Sequence, residues 1–161
     1  MGILFGGDYN PEQWPREVWD EDMELFRVAS VNTVTINVFA WALLQKSENE
    51  YNFTELDEIV RRHAQAGHHI IMATSTSTVP AWLARKYPEV LRTDYHGVHK
   101  KFGKRHNFCP NSPVYRSMLV CWYSAWLYAI KTSVRSSIGT SAMNLKASAI
   151  AKTAKELSAF G

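Results

Sequence analysis

Apolar residues along this chain alternate between two periods, and the alternation predicts the elements. Ile3 to Phe5 is a short apolar run closed by Gly6 and Gly7, the pattern of a buried strand ending in a tight turn. From Trp14 to Ala29, Trp14, Val18, Met23, Leu25, Phe26 and Ala29 recur among charged neighbours with Pro15 at the first turn, which predicts a helix. Thr33 to Phe39, TVTINVF, is β-branched and alternating and reads as a strand. Over Asn52 to Ala66, Leu56, Ile59, Val60 and Ala64 fall at helical spacing, with Thr54 as the expected cap, Asp57 three residues on, and Gly67 as the stop. His69 to Ala73 reads as a third strand, and Pro80 opens a helix through Lys86 that Pro88 closes.

Strand, helix, strand, helix, strand, helix at this spacing implies parallel βαβ units. A parallel sheet needs both faces covered, so the expected fold is α/β, either a barrel or an open doubly wound sheet. The loops that follow the strands separate these possibilities. Neither GxGxxG nor GxxxxGK[ST] follows Phe5, Phe39 or Ala73, so the glycine devices that cradle phosphates are missing. Polar and aromatic residues stand there instead: Asp8, Tyr9, Asn10 and Trp14, then Trp41, then Thr74 to Thr78 and Trp82. Any one of these aromatics can simply pack in a core. Their recurrence after three successive strands suits a sugar, whose faces are apolar and whose edges are hydroxyls.

Longer motifs carry a resemblance. FGGDYNPEQWP, VFAWALL, YNFTELDEIV, ATSTSTVPAWLARKYPEVL and RHNFCPNSPVYR, in this order from about Gly2 to Arg116, resemble the N-terminal part of the catalytic barrel of bacterial β-galactosidases of glycoside hydrolase family 42. The resemblance implies a (β/α)8 TIM barrel, of which residues 1–116 supply about the first three βα units, with its site at the C-terminal ends of the strands. It further implies retaining hydrolysis of terminal β-galactosides by two glutamates, with carboxyls roughly 5 Å apart. Arg105 matches the arginine that hydrogen-bonds galactose in the family, a role suited to a forked, permanently charged donor. Cys109 matches the first of four cysteines that hold a structural zinc in many members. Read without the family, Arg105 beside Lys100, Lys101 and Lys104 is a solvated basic loop, and Cys109 a small buried hydrophobe. Intact members are often homo-oligomeric.

Composition adds a boundary. The chain has 161 residues, 46% apolar and 12% aromatic, enough for a globular core, and a net charge of +3. Residues 1–116 hold 13 of the 18 Lys and Arg and 14 of the 15 acids; residues 117–161 keep one acid, Glu156, with eight Ser, eight Ala, no Pro and no His. Two cysteines, Cys109 and Cys121, provide no disulfide framework, and MGILFGGDYNPE lacks a signal-peptide pattern, so a cytoplasmic protein is expected. No apolar run reaches the roughly 18 residues of a membrane span, and neither a nucleic acid nor a membrane is expected as partner.

A reading-frame slip accounts for residues 117–161, which are expected to form a non-native helical or disordered tail. Re-reading from the third base of each codon fixes the last two bases of every new codon. Met143 followed by Asn144 must then give glutamate, and Ile138 to Lys146 is compatible with W, H, I, S, N, E, a variable position and K, the family's acid/base segment. Tyr128 to Thr132 permits R, Y, K, D, and Ser148 to Ala154 permits C, Y, C, E, N, C, the spacing of the remaining zinc ligands. The slip is expected between about Arg116 and Cys121. Both catalytic glutamates are then missing, and the chain is expected to be inactive and to hold no zinc. The competing expectation is a non-catalytic carbohydrate-binding or regulatory half-barrel, with Tyr123, Trp126, Leu127 and Ile130 as an apolar stripe on a basic tail that seeks an acidic partner or membrane surface.

Overall fold

The computed structural model describes the backbone of residues 3–138 and side chains as far as residue 132. Three parallel strands form the sheet, β1 (Gly6–Asp8), β2 (Thr33–Ile36) and β5 (His69–Met72), in the order β1-β2-β5. Gly6 pairs with Thr33, which in turn pairs with His69. Between the strands run α1 (Arg16–Val28) and α3 (Thr54–Gln65), the crossovers expected of βαβ units. After β5 come α4 (Ala81–Lys86) and the long α5 (Pro113–Ile138). Among the described residues the sheet does not close into a barrel, so β1 and β5 are its edges. Ile71 on β5 is accordingly half exposed, whereas Val34 and Ile36 on the central strand are fully buried.

The first strand lies three residues later than its apolar run predicts. Ile3, Leu4 and Phe5 are exposed, and Gly6 to Asp8 does the pairing. Close approach of the backbones is the cause: a Cβ on Gly6 would stand 1.7 Å from the Thr33 carbonyl oxygen. Gly6→Ala is therefore expected to push β1 off β2 and cost about 2 kcal/mol. A denaturant midpoint unchanged by the substitution would contradict this placement.

Both crossover helices end in the same device. At the end of α3, the Gly67 N–H reaches the Ala64 carbonyl at 3.1 Å and the His68 N–H the His63 carbonyl at 3.0 Å, with Gly67 at φ 77°. Helix α1 repeats it with Ser30 at φ 56°, where the Val31 N–H reaches the Phe26 carbonyl at 2.9 Å. The start of α3 differs from expectation: Thr54 is already helical, and Asn52 Oδ1 accepts its N–H at 3.0 Å. The sequence pattern also misses a short helix, α2 (Trp41–Leu44), and an antiparallel pair, β3 (Gln45–Ser47) with β4 (Glu50–Tyr51), which carry the chain from β2 to α3.

Residues after Arg116 continue α5 without a break to Ile138, so the described part of that segment is helical. Tyr115, Trp122, Trp126 and Ile130 are buried, and Tyr123 and Leu127 pack half-buried against the core. Trp122 stacks on Trp41 at 5.4 Å and on Phe53 at 6.1 Å between ring centroids, and its Nε1 donates to the Thr74 carbonyl at 2.9 Å. The stripe expected to seek a partner or membrane therefore covers α3 and the loop after β5. Residues 139–161, which include most of the re-read glutamate segment and all of the re-read cysteine segment, lie outside the described residues.

Candidate functional site at the strand ends

The C-terminal ends of β1, β2 and β5 open on one side of the sheet, where a barrel of this kind places its chemistry. Two residues in left-handed conformation follow β2 and β5 there, Asn37 at φ 68° and Ser75 at φ 59°. They latch the strands together: Asn37 Nδ2 donates to the Ala73 carbonyl at 3.0 Å, and Ser75 Oγ donates to the Asn37 carbonyl. Both are buried, at 2% and 1% exposure, so the latch is part of the scaffold rather than a surface for ligand. The strand expected over Thr33 to Phe39 therefore ends early, at Ile36, because Asn37 takes a left-handed conformation that Asn tolerates better than most residues.

Arg105 is brought to this mouth from far along the chain. Its guanidinium lies 5.0 Å from the centre of the Phe39 ring, just beyond the end of β2. The loop from Leu91 to Phe108 that carries it is pinned by isolated bridges Leu91 to Phe108 and Thr93 to His99, and by the His106 N–H on the Ser77 carbonyl at 3.2 Å. Lys104 and His106, which flank Arg105, both have positive φ, at 61° and 58°. Non-glycine residues in that region cost of order 1 kcal/mol each, and such strain clusters at ligand sites. Asn107 holds the turn, its Nδ2 donating to the carbonyls of Lys101 and Gly103. Asp94 closes the base of the loop: Lys100 at 2.9 Å and the N–H groups of Val98 and His96 hold its carboxyl below the usual carboxylate range. The Arg105 side chain remains exposed, which leaves its donors available to a hydroxyl-rich ligand. Beneath the loop is a cavity of about 250 Å³ lined by Ala42, Thr78, Val79, Phe102 and Lys104.

The aromatic residues expected as a sugar platform divide. Trp41 is fully buried and donates through Nε1 to Gln45 Oε1 at 2.7 Å, while Trp82 Nε1 donates to the Gln45 carbonyl at 2.9 Å. Trp41 belongs to the core, which corrects the expectation that it faces a ligand, while Trp82 packs half-buried against that core. Tyr9 points at the helices, donating to Asp22 Oδ2 at 3.0 Å and meeting Phe26 edge-on. Trp14, at 58% exposure, remains open near the mouth, beside Asp8 and Asn10 in a cleft of about 500 Å³.

Two carboxylates stand near the strand ends. Asp8 is exposed at the end of β1, and Glu12 follows in the 3-10 turn Pro11–Gln13. Burial pushes the Glu12 carboxyl up from its ordinary value, and neighbouring Glu55 adds to the effect against the stabilising hydrogen bond to its backbone. Cys109 is half-buried and reduced, its N–H bonded to the Val90 carbonyl at 2.8 Å. Among the described residues no three His, Cys, Asp or Glu side chains gather as a metal site, so the donors described around Cys109 do not form the four-ligand set of a structural zinc.

The β-galactosidase profile of glycoside hydrolase family 42 matches residues 8–129. The chain belongs to that family. β-Galactosidase BgaA of Planococcus sp. (strain 'SOS Orange') is 55% identical over 115 residues, 71% of this chain and 17% of that protein. β-Galactosidase LacA of Lactobacillus acidophilus is 49% identical over 116 residues, 72% of this chain and 17% of its own length. Among solved structures, the β-galactosidase from Bacillus circulans sp. alkalophilus superposes with TM-score 0.78 at 47% identity, covering 80% of this chain and 19% of that one. That from Rahnella sp. R3 gives 0.77 at 35% identity, over 80% and 19%. The chain thus spans less than a fifth of the length of these relatives. Among the described residues no helix is long and apolar enough to cross a membrane.

Proposed function

We propose that this chain carries the opening βα units of a β-galactosidase barrel whose intact form hydrolyses terminal β-galactosides with retention, and that the chain itself does not hydrolyse them. The observation that carries the reading is Arg105, held by a strained loop over Phe39 at the strand ends in a family-matched segment. A guanidinium there binds and orients a galactosyl ring through its hydroxyls; it neither donates a proton to a leaving group nor attacks a sugar carbon. Retaining hydrolysis needs two carboxyls on opposed sides of one bond. Asp8 ends β1 and Glu12 follows it four residues on, so both come from one strand end, and Glu12 keeps an oxygen buried away from solvent. The acid/base glutamate is instead encoded out of frame at Met143–Asn144, a reading supported by the ordered matches over residues 128–154.

Purified chain incubated with a chromogenic β-galactoside is expected to release no chromophore above the uncatalysed rate. Turnover that survives Arg105→Ala would overturn both the inactivity and the site assignment. Zinc follows the same logic: one thiolate, Cys109, supplies a quarter of a structural site, and dialysis against zinc is expected to leave the chain unmetallated.

A further inference from the structure

A small cavity at the end of β2 collects oxygen acceptors with no donor to face them. It has a volume of about 10 Å³ and is lined by Glu12, Asn37 and Glu55, with Ala40, Leu43 and Leu56 among its apolar walls. That is room for one water or one small ion. Asn37 is 98% buried, and while its Nδ2 is engaged by the Ala73 carbonyl, its Oδ1 is buried without a partner. Glu12 Oε1 is buried and unpartnered in the same way. Neither Glu12 nor Glu55 forms an ion pair among the described residues.

Buried oxygens left unpaired cost 1–3 kcal/mol each, and more when charged, so the set calls for a positive or donating occupant. A water brings two hydrogens and no charge to a site with two carboxyls. A proton on Glu12 satisfies one oxygen pair and supplies nothing to Glu55, which is half-buried beside it. A hard cation satisfies all three side chains, because carboxylate and amide carbonyl oxygens are its preferred donors and open coordination positions can be filled by solvent. We propose that Glu12, Asn37 and Glu55 form a site for one hard divalent cation, magnesium or calcium, at the C-terminal end of β2. The ion would tie the turn after β1 to the first turn of α3 across the strand end, stiffening the floor of the mouth beside Arg105. This proposal stands on the cavity alone and is independent of whether the chain hydrolyses sugars.

The test uses the full chain, stripped with chelator, melted at neutral pH in increasing magnesium or calcium chloride and, separately, in sodium chloride of matched ionic strength. The midpoint is expected to climb with the logarithm of divalent concentration and not with sodium. Glu12→Gln keeps the shape and removes a charge, and should weaken apparent affinity roughly tenfold or more. If Glu12→Gln loses its cooperative melt, Glu55→Gln, which is only partly buried, takes its place with the same expectation. The site is overturned if neither divalent ion raises the midpoint above the sodium control, or if the charge-removing variant keeps the full rise.

Discussion

Trp122→Ala is expected to remove most of the cooperative unfolding transition of this chain. The indole is fully buried, stacked on Trp41 and Phe53, and donates to the Thr74 carbonyl just past the end of β5. Truncating a buried Trp typically costs 3–5 kcal/mol, through lost burial and the cavity left behind, and the Thr74 carbonyl would lose its donor as well. Small domains have only about 5–15 kcal/mol in hand, and a three-stranded parallel sheet with two free edges belongs at the low end. The thermal midpoint should fall by about 10 °C or more, or the transition should vanish. Trp122→Phe, which keeps an aromatic face and loses the N–H, should lose much less. The pair of variants also asks whether residues beyond Arg116 belong to the fold: a melt indifferent to Trp122→Ala would mean that α5 does not dock.

Acid is expected to destabilise the chain well before its carboxylates titrate. His63, in the last turn of α3, is buried, edge-on to Tyr9 at 5.3 Å and tilted against Phe26 of α1 at 5.9 Å, with its Nδ1 2.9 Å from Nδ1 of His68. Burial, and secondarily the neighbouring His68, push its pKa down to about 4; burial lowers His68 too. At most one of the two facing nitrogens can carry a hydrogen, so the pair requires at least one neutral ring. An unfolded histidine titrates near 6.5. Between that value and about 4 the unfolded chain therefore binds more protons than the folded one, and stability falls as pH falls. A shift of this size is worth about 3 kcal/mol when the window has been crossed, all of it present above pH 6.5. Urea midpoints taken at pH 7, 5.5 and 4.5 should decline steadily, and the decline should flatten in His63→Phe. A midpoint constant from pH 7 to 5, or an undiminished decline in the variant, would contradict the assignment.

What the sequence discloses follows from which forces set each element. Helices α1 and α3 are legible because a long apolar stripe and a αL stop are local signals, and their observed bounds fall within two residues of the pattern. Strand β1 is not, because its position depends on how close two backbones can come, and Gly6 reveals that only beside Thr33. The hairpin of β3 and β4 escapes for a related reason: Gln45 and Tyr51 pair across a turn with no alternating apolar run to announce it. At the site, Arg105 is findable through the family motif, but its placement over Phe39 is a contact between residues 66 positions apart. Trp41 reads equally well as ligand platform or core, and only its burial and its bond to Gln45 decide for core. The acceptors at Asn37 and Glu12 carry no sequence signal at all, since they come together only when the strand ends are latched.

The proposal that residues 117–161 are written out of frame makes one requirement that nothing else imposes. The coding DNA, read from the third base of each codon after about Arg116 to Cys121, must spell Trp-His-Ile-Ser-Asn-Glu across residues 138–144, followed by three cysteine codons across 148–154. Sequencing that DNA and translating it in all three frames is the most direct measurement. Recovery of both motifs in one shifted frame is the predicted result; a shifted frame that lacks the Asn-Glu motif would contradict the account and return residues 117–161 to the status of an authentic segment of this protein.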